Sequence, residues 1–173
     1  ELIDALPESG YGVVNIDSSA AYNHIKEHGY DVDTYSVDNA DAKYRATNIL
    51  YSATETRFDV AKGDRVDDGY ATHVLGRGNI LNITAALAVA EHLGISLEAR
   101  RRAVRQIEQV EHRLSMRRSG GITILDDAYN SNPVGASSAL DVLKMMDGTK
   151  VVVTPGMIEL GKEEKEKNYE FGK

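Results

Sequence analysis

The chain has 173 residues, enough for one domain or two small ones, with an ordinary globular balance of apolar and charged side chains. Its net charge of −7 argues against non-specific nucleic-acid binding, which needs a basic face to displace counterions. The absence of cysteine excludes disulfides, thiolate nucleophiles and cysteine-based zinc sites, and no apolar stretch approaches the length of a membrane span.

The opening Glu1-Leu2-Ile3-Asp4 has no basic region ahead of an apolar run, so it does not read as a secretion signal, and the cytoplasm is the expected location. Residues 11–16 form a short apolar run that predicts a buried strand. Asp17, Ser18 and Ser19 then offer caps for a helix over roughly 19–28. Residues 32–37 alternate and predict another strand. The β-rich runs 44–51, 54–60 and 70–75, separated by polar turns, predict an antiparallel meander.

At Gly76 the period changes. Residues 79–93 are apolar nearly all round, which predicts a buried helix with Gly94 at its end. Ser96 is placed to cap a second helix, with Ala99 at its third position, running to about Val110. The basic run Arg100, Arg101, Arg102 and Arg105 reads as a solvated helix face, and Arg117 with Arg118 as part of a loop. The polar stretch 111–120 reads as a linker. Beyond it come a strand over 122–125, a helix opened by Asn132-Pro133 and continuing to Met146, a strand over 150–154, and a helix from Glu163. This β-α-β-α order predicts a parallel sheet with crossover helices. The final residues stop inside a helical pattern and there is no initiator Met, so both ends read as cut.

Four clusters could carry chemistry. Asn79 and Asn82 fall on one helix face, and a carboxamide offers the donor and acceptor that the edge of an adenine requires. The alternative is that Asn79 caps the helix and Asn82 satisfies a loop. His112-Arg113 lies at the junction of the two halves, where an arginine can reach a phosphate bidentately; the alternative is a solvated linker pair. Asp126 and Asp127 stand at the carboxyl end of a strand, where open α/β sheets bind ligands; otherwise they tie down the turn ahead of Asn132. The run from Gly156 to Lys162 fits G-x-x-x-x-G-K but is followed by Glu163 rather than a magnesium-binding hydroxyl, so it reads as a turn and not a phosphate loop. His24 and His28 have metal-pair spacing without further ligands, and read as a polar helix face. No G-x-S-x-G turn supports a serine triad.

Their order is more specific than any one of them. Leu75-Gly76-Arg77-Gly78-Asn79-Ile80-Leu81-Asn82, then Glu111-His112-Arg113-Leu114, then Leu125-Asp126-Asp127-Ala128-Tyr129-Asn130-Ser131-Asn132-Pro133, then Pro155-Gly156-Met157-Ile158-Glu159-Leu160-Gly161 together resemble the Mur ligase family of ATP-dependent amide ligases. The resemblance covers nearly the whole chain and is strongest over 75–161. The last two elements are most like the branch that joins D-alanyl-D-alanine to a UDP-muramoyl peptide.

The resemblance implies an α/β fold. Residues 1–113 would be the second half of the central ATP-binding domain, and residues 114–173 the beginning of a Rossmann-like C-terminal domain. It implies a nucleotide site in which Asn79 and Asn82 lie by the adenine, His112 and Arg113 reach the phosphates from a hinge, and Asp127 and Asn130 hold the ribose or nucleotide. ATP and Mg2+ would serve the intact enzyme. The phosphate loop, magnesium-binding residues and a carbamylated lysine would lie upstream of Glu1, so this segment alone would be inactive. Two departures from the family pattern stand out: Gly78 replaces the histidine usual before the first asparagine, and Thr154-Pro155 leads into the Gly156–Gly161 element. Another Mur-type ligase, such as a folylpolyglutamate synthase, and a non-catalytic nucleotide-binding module are the alternative readings.

Overall fold

A computed structural model describes residues 3–7, 9–52, 54–129 and 131–173. The first strand, β1 (Val13–Asn15), leads into α1 (Ser19–His28), which starts at Ser18 and ends at Gly29, whose φ of 64° makes the left-handed exit. β2 (Asp33–Ser36) follows, then β3 (Tyr44–Tyr51), β4 (Thr56–Lys62) and β5 (Arg65–Thr72). The five strands form one sheet in sequential order, with β1, β2 and β3 parallel and β3, β4 and β5 antiparallel. The antiparallel meander and both earlier strands form as expected in kind, but β5 begins at Arg65 and ends at Thr72, several residues ahead of the run read at 70–75.

Two helices lie against this sheet. α2 (Arg77–His92) buries Ile80, Ile83, Thr84, Leu87 and Ala88. Burial is one-sided, against the expectation of a helix enclosed all round: Asn82, Ala86 and Val89 face outward. Alanine and valine tolerate either environment, so an apolar sequence with one covering sheet yields one buried stripe. α3 (Leu97–Arg105) starts as expected, with the Ser96 hydroxyl accepting from the amide of Ala99, but ends at Arg105 rather than near Val110. The core joins Phe58, Val60 and Tyr70 of the sheet to Ile80, Ile83 and Leu87 of α2 and Val104 of α3, with the Phe58 and Tyr70 rings 5.3 Å apart.

Only part of the basic run on α3 is a solvated face: Arg102 and Arg105 are exposed, as expected, but Arg100 and Arg101 are not. Arg100 is 6% exposed and donates to Glu91 at 2.8 Å, with Asp67 3.0 Å away. Lys62 joins the same two carboxylates from β4. Burial alone would raise the pKa of Asp67 and Glu91, but the hydrogen bond and charge of Lys62 and the charge of Arg100 outweigh it and hold both below their ordinary range. The network ties the β4–β5 turn to α2 and α3. Arg101 is likewise engaged, with Asp68 and Glu98.

After α3 the chain departs further from expectation. The stretch 111–120 is not all linker: β6 (Ser115–Ser119) pairs antiparallel with β7 (Ile122–Asp126). Gly120 and Gly121, at φ 57° and 79°, supply the two left-handed residues that a two-residue hairpin of this twist needs. α4 (Pro133–Met145) starts as read, with the Asn132 side chain accepting from the amide of Gly135. Among the described residues, 150–154 join no strand ladder, with Val151, Val152 and Val153 exposed, so no parallel β-α-β sheet is completed. Without a neighbouring strand, backbone groups in a strand-like sequence have no ladder to join. A 3-10 turn, Gly161–Glu163, precedes α5 (Glu164–Phe171).

A small second core of Leu75, Leu114 and Val142 joins the two parts. Gly76, at φ 86°, lets α2 begin directly against this seam: a Cβ there would lie 2.4 Å from Leu114 Cδ2 and 3.3 Å from Ser138 Oγ.

Candidate nucleotide-binding site

The first turn of α2, the segment after α3 and the junction at Arg113 enclose an open cavity of about 410 Å3. Val74, Ile83, Ala86, Ile107 and Val110 form its apolar wall, and Asn79, Asn82, Glu108 and Arg113 supply its polar groups. An open cleft of this size with one apolar wall and a few convergent polar groups has room for a small molecule. Asn79, Asn82 and Arg113 were separate candidates in the sequence, and folding places all three on one surface.

Asn79 does not cap the helix; Gly76 occupies that position. The Asn79 amide nitrogen donates to the carbonyl of Leu75 at 2.7 Å, which leaves its carbonyl oxygen as an acceptor. Asn82 is exposed and makes no side-chain hydrogen bond among the described residues. Gly78 opens onto empty space, with nothing within 4 Å of a Cβ built there.

The junction is a clasp. His112 and Leu114 flank Arg113 with φ of 62° and 51°, left-handed values that non-glycine residues adopt at a cost of order 1–3 kcal/mol. Three hydrogen bonds hold them. The amide of Tyr129 donates to the His112 carbonyl at 3.2 Å, the amide of Leu114 donates to Asp127 Oδ1 at 3.0 Å, and His112 Nδ1 meets Asp126 Oδ2 at 2.9 Å. Arg117 reaches the same Asp126 oxygen at 2.8 Å. Burial works against ionisation of Asp126, but the hydrogen bond and charge of His112 and the charge of Arg117 outweigh it and hold its pKa low. Burial dominates at Asp127 and pushes its carboxyl above the ordinary range.

Asp126 is thus more than a strand end, and both acidic residues organise the junction. His112, Asp126 and Asp127 do not line the cavity. Asn130 lies outside the described residues. The sequence reading missed Tyr129, whose ring carries the Arg113 guanidinium at 4.1 Å. It also missed Gln109, which donates to the carbonyl of His73 at 2.7 Å and accepts from the amide of Met116 at 2.8 Å. Tyr129 stood in a run already singled out; nothing in the sequence marks Gln109.

The Gly156–Lys162 turn is not a phosphate cradle. Met157 is buried, and the Asn168 side chain engages both its amide and its carbonyl, at 2.7 and 2.8 Å. Among the described residues no group of three histidines or carboxylates is arranged to hold a metal. None of their helices is long and apolar enough to cross a membrane.

Residues 1–90 match the Mur ligase middle domain. The chain is 30% identical over 177 aligned positions to the UDP-N-acetylmuramoyl-tripeptide–D-alanyl-D-alanine ligase of Escherichia coli, covering 99% of this chain and 38% of that protein. It is also 28% identical to a UDP-N-acetylmuramate–L-alanine ligase of Dictyoglomus turgidum, covering 88% of this chain and 33% of that one. Among solved structures, MurF from Acinetobacter baumannii superposes with a TM-score of 0.86 at 23% identity, covering 99% of this chain and 37% of that one. A MurF ligase from Thermotoga maritima in complex with ADP gives 0.81 at 22%, covering 95% and 38%. The chain therefore spans under two fifths of the length of these relatives.

Proposed function

This chain belongs to the Mur ligase family, and from that premise we propose that it is a segment of an ATP-dependent amide ligase of peptidoglycan precursor synthesis, joining D-alanyl-D-alanine to a UDP-muramoyl peptide. The observation that carries the nucleotide part is the cavity that gathers Asn79, Asn82 and Arg113 from elements 31 residues apart, 82 to 113. In this reading Asn79 and Asn82 face the adenine edge, Arg113 reaches the phosphates, and His112 and Asp127 fix the hinge that carries Arg113. Asn130 belongs to the same nucleotide-binding loop. The division between the ATP-binding domain and the start of the C-terminal domain falls at 113/114.

The amino substrate is assigned from the relatives named for D-alanyl-D-alanine ligation. The chemistry is acyl activation. The substrate carboxylate attacks the γ-phosphorus of ATP, the β–γ bridging bond breaks, and an acyl phosphate and ADP form. The amine then attacks the acyl carbon, the C–O bond to phosphate breaks, and inorganic phosphate leaves with loss of a proton from nitrogen. This segment would bind and orient the nucleotide and carry the hinge. Its described residues do not fit a magnesium site, so a metal that serves the phosphates would be held by other parts of the protein.

The test is phosphate release by the full-length protein with ATP, a UDP-muramoyl tripeptide and a panel of amino compounds. Release that depends on D-alanyl-D-alanine, and falls in Asn82→Ala and Arg113→Ala, is the expected result. Release that responds instead to L-alanine or glutamate would reassign the branch, and no release with any amine would leave a nucleotide-binding module.

A further inference from the structure

Arg113 is held unlike the other cations around the junction. Arg117 is spent on Asp126, and His112 on the same carboxylate. Arg113 has no ion pair among the described residues; its guanidinium lies over the ring of Tyr129 at 4.1 Å. A guanidinium stacked on an aromatic ring keeps its N–H groups in the plane of the fork, free to meet a phosphate edge-on. Arg113 lines the cavity and Tyr129 does not. The ring therefore meets a ligand in that cavity through Arg113.

The backbone supports the same arrangement. The amide of Tyr129 donates to the His112 carbonyl, so the residue bearing the ring is fastened one position away from the arginine it supports. The left-handed residues at 112 and 114 turn the chain sharply on both sides of Arg113. Asp126 and Asp127 tie down those two residues, and Tyr129 supports the side chain between them.

We propose that Tyr129 is a positioning residue for Arg113, carrying the guanidinium so that its donors face the phosphates of a nucleotide whose base lies at Asn79 and Asn82. The proposal rests on the nucleotide reading above. It assigns Tyr129 no contact with the base.

Calorimetric titration of the full-length protein with ADP and with adenosine tests it. Tyr129→Ala is expected to weaken ADP binding about two- to five-fold, the size of an exposed cation–π contact, and to leave adenosine binding unchanged. Tyr129→Phe, which keeps the ring, should bind ADP as the unaltered protein does. In an Arg113→Ala background, Tyr129→Ala should add no further loss, because the group it supports is gone. Tyr129 is 67% exposed, so the variants are expected to fold. Adenosine weakened as much as ADP would show direct contact with the base and overturn the proposal. So would an undiminished Tyr129→Ala effect in the double variant, or no effect on ADP while Arg113→Ala weakens it. If Arg113→Ala itself leaves ADP affinity unchanged, the phosphate role of Arg113 fails first, and the proposal falls with it.

Discussion

The two parts of the molecule use the same materials differently. In the sheet of residues 13–72, Phe58, Val60 and Tyr70 are sealed by α2 and α3, and even Lys62 and Arg100 are buried among carboxylates. In residues 115–171, Ile122, Ile124, Val151, Val152 and Val153 are exposed, and the buried apolar side chains are few. The β-branched content of 150–154 is as high as that of any strand in the sheet. Propensity prepares a segment to be a strand, but burial needs a second layer and pairing needs a neighbour. The second part has its hairpin and α4, and much of its apolar surface faces outward.

The sharpest way to break this contrast is to open a cavity in the first core. Phe58→Ala is expected to cost about 3–5 kcal/mol, since Phe58 is fully buried against Tyr70 and the helices. Urea denaturation followed by circular dichroism measures it; a loss below about 1 kcal/mol would mean that the first part is no better consolidated than the second. Next in size is Gly76→Ala at the seam. The side chain must adopt φ 86° and meet Leu114 Cδ2 at 2.4 Å, so strain and overpacking together should cost about 2–4 kcal/mol. Because the clash lies between the parts, the expected denaturation curve loses its single transition. A curve that stays single and unshifted would show that Leu114 moves aside freely.

Much of the first part was legible in the sequence. Alternation located β2 and β-rich composition located β3 and most of β4, while Ser96 located the start of α3 and, in the second part, Asn132-Pro133 that of α4, because each signal acts within a few residues. The hairpin of β6 and β7 was equally local, written in Gly120-Gly121, but the polar Arg117 and Arg118 disguised it as a linker. Two things could not be read locally. Arg100 looks like a surface residue until Asp67 and Glu91 arrive from other elements. The strand expected at 150–154 needs a partner that its own sequence does not specify. The candidate site lay between these cases: Asn79, Asn82 and Arg113 were named one by one, whereas the cavity uniting them, and Tyr129 beneath Arg113, depend on the fold.

Charge sharpens the comparison at smaller scale. Asp17, in the turn after β1, accepts hydrogen bonds from the Ser36 hydroxyl and from the amides of Val37 and Asn39. Burial would raise its pKa, but these donors outweigh it and hold the carboxyl low. Its stabilising contribution is therefore fully present above the ordinary carboxylate pKa of about 3.9 and is lost as pH falls through the lower folded value. Asp17→Asn should cost about 1–2 kcal/mol at pH 7, with the difference closing as the medium becomes acid. Asp127 carries the opposite sign. Burial raises its pKa, so ionisation costs stability at neutral pH, and the cost disappears in acid. Asp127→Asn, which can still accept from the Leu114 amide, should be neutral or slightly stabilising at pH 7, with any gain vanishing below pH about 4. Parallel pH dependence in the two variants would contradict the assignment of different dominant causes.

The smallest effect is expected at Val153, which is 93% exposed. In the 173-residue chain Val153→Ser removes almost no buried apolar surface and no strand pairing, so the change should stay within about 0.5 kcal/mol. Three consecutive valines with no layer on either side are an unusual surface, and the relatives are more than twice as long as this chain. In the full-length protein the same substitution is expected to cost about 1–3 kcal/mol, the value of a valine side chain withdrawn from water. Thermal denaturation of both forms, with and without the substitution, measures the pair of differences. A neutral result in both would identify 150–154 as a loop in the intact protein and place the incompleteness of the second part in its own sequence. A cost confined to the longer form would show that the exposed valines are a strand awaiting its neighbours, so that the contrast between the two parts reflects missing partners rather than weaker local coding.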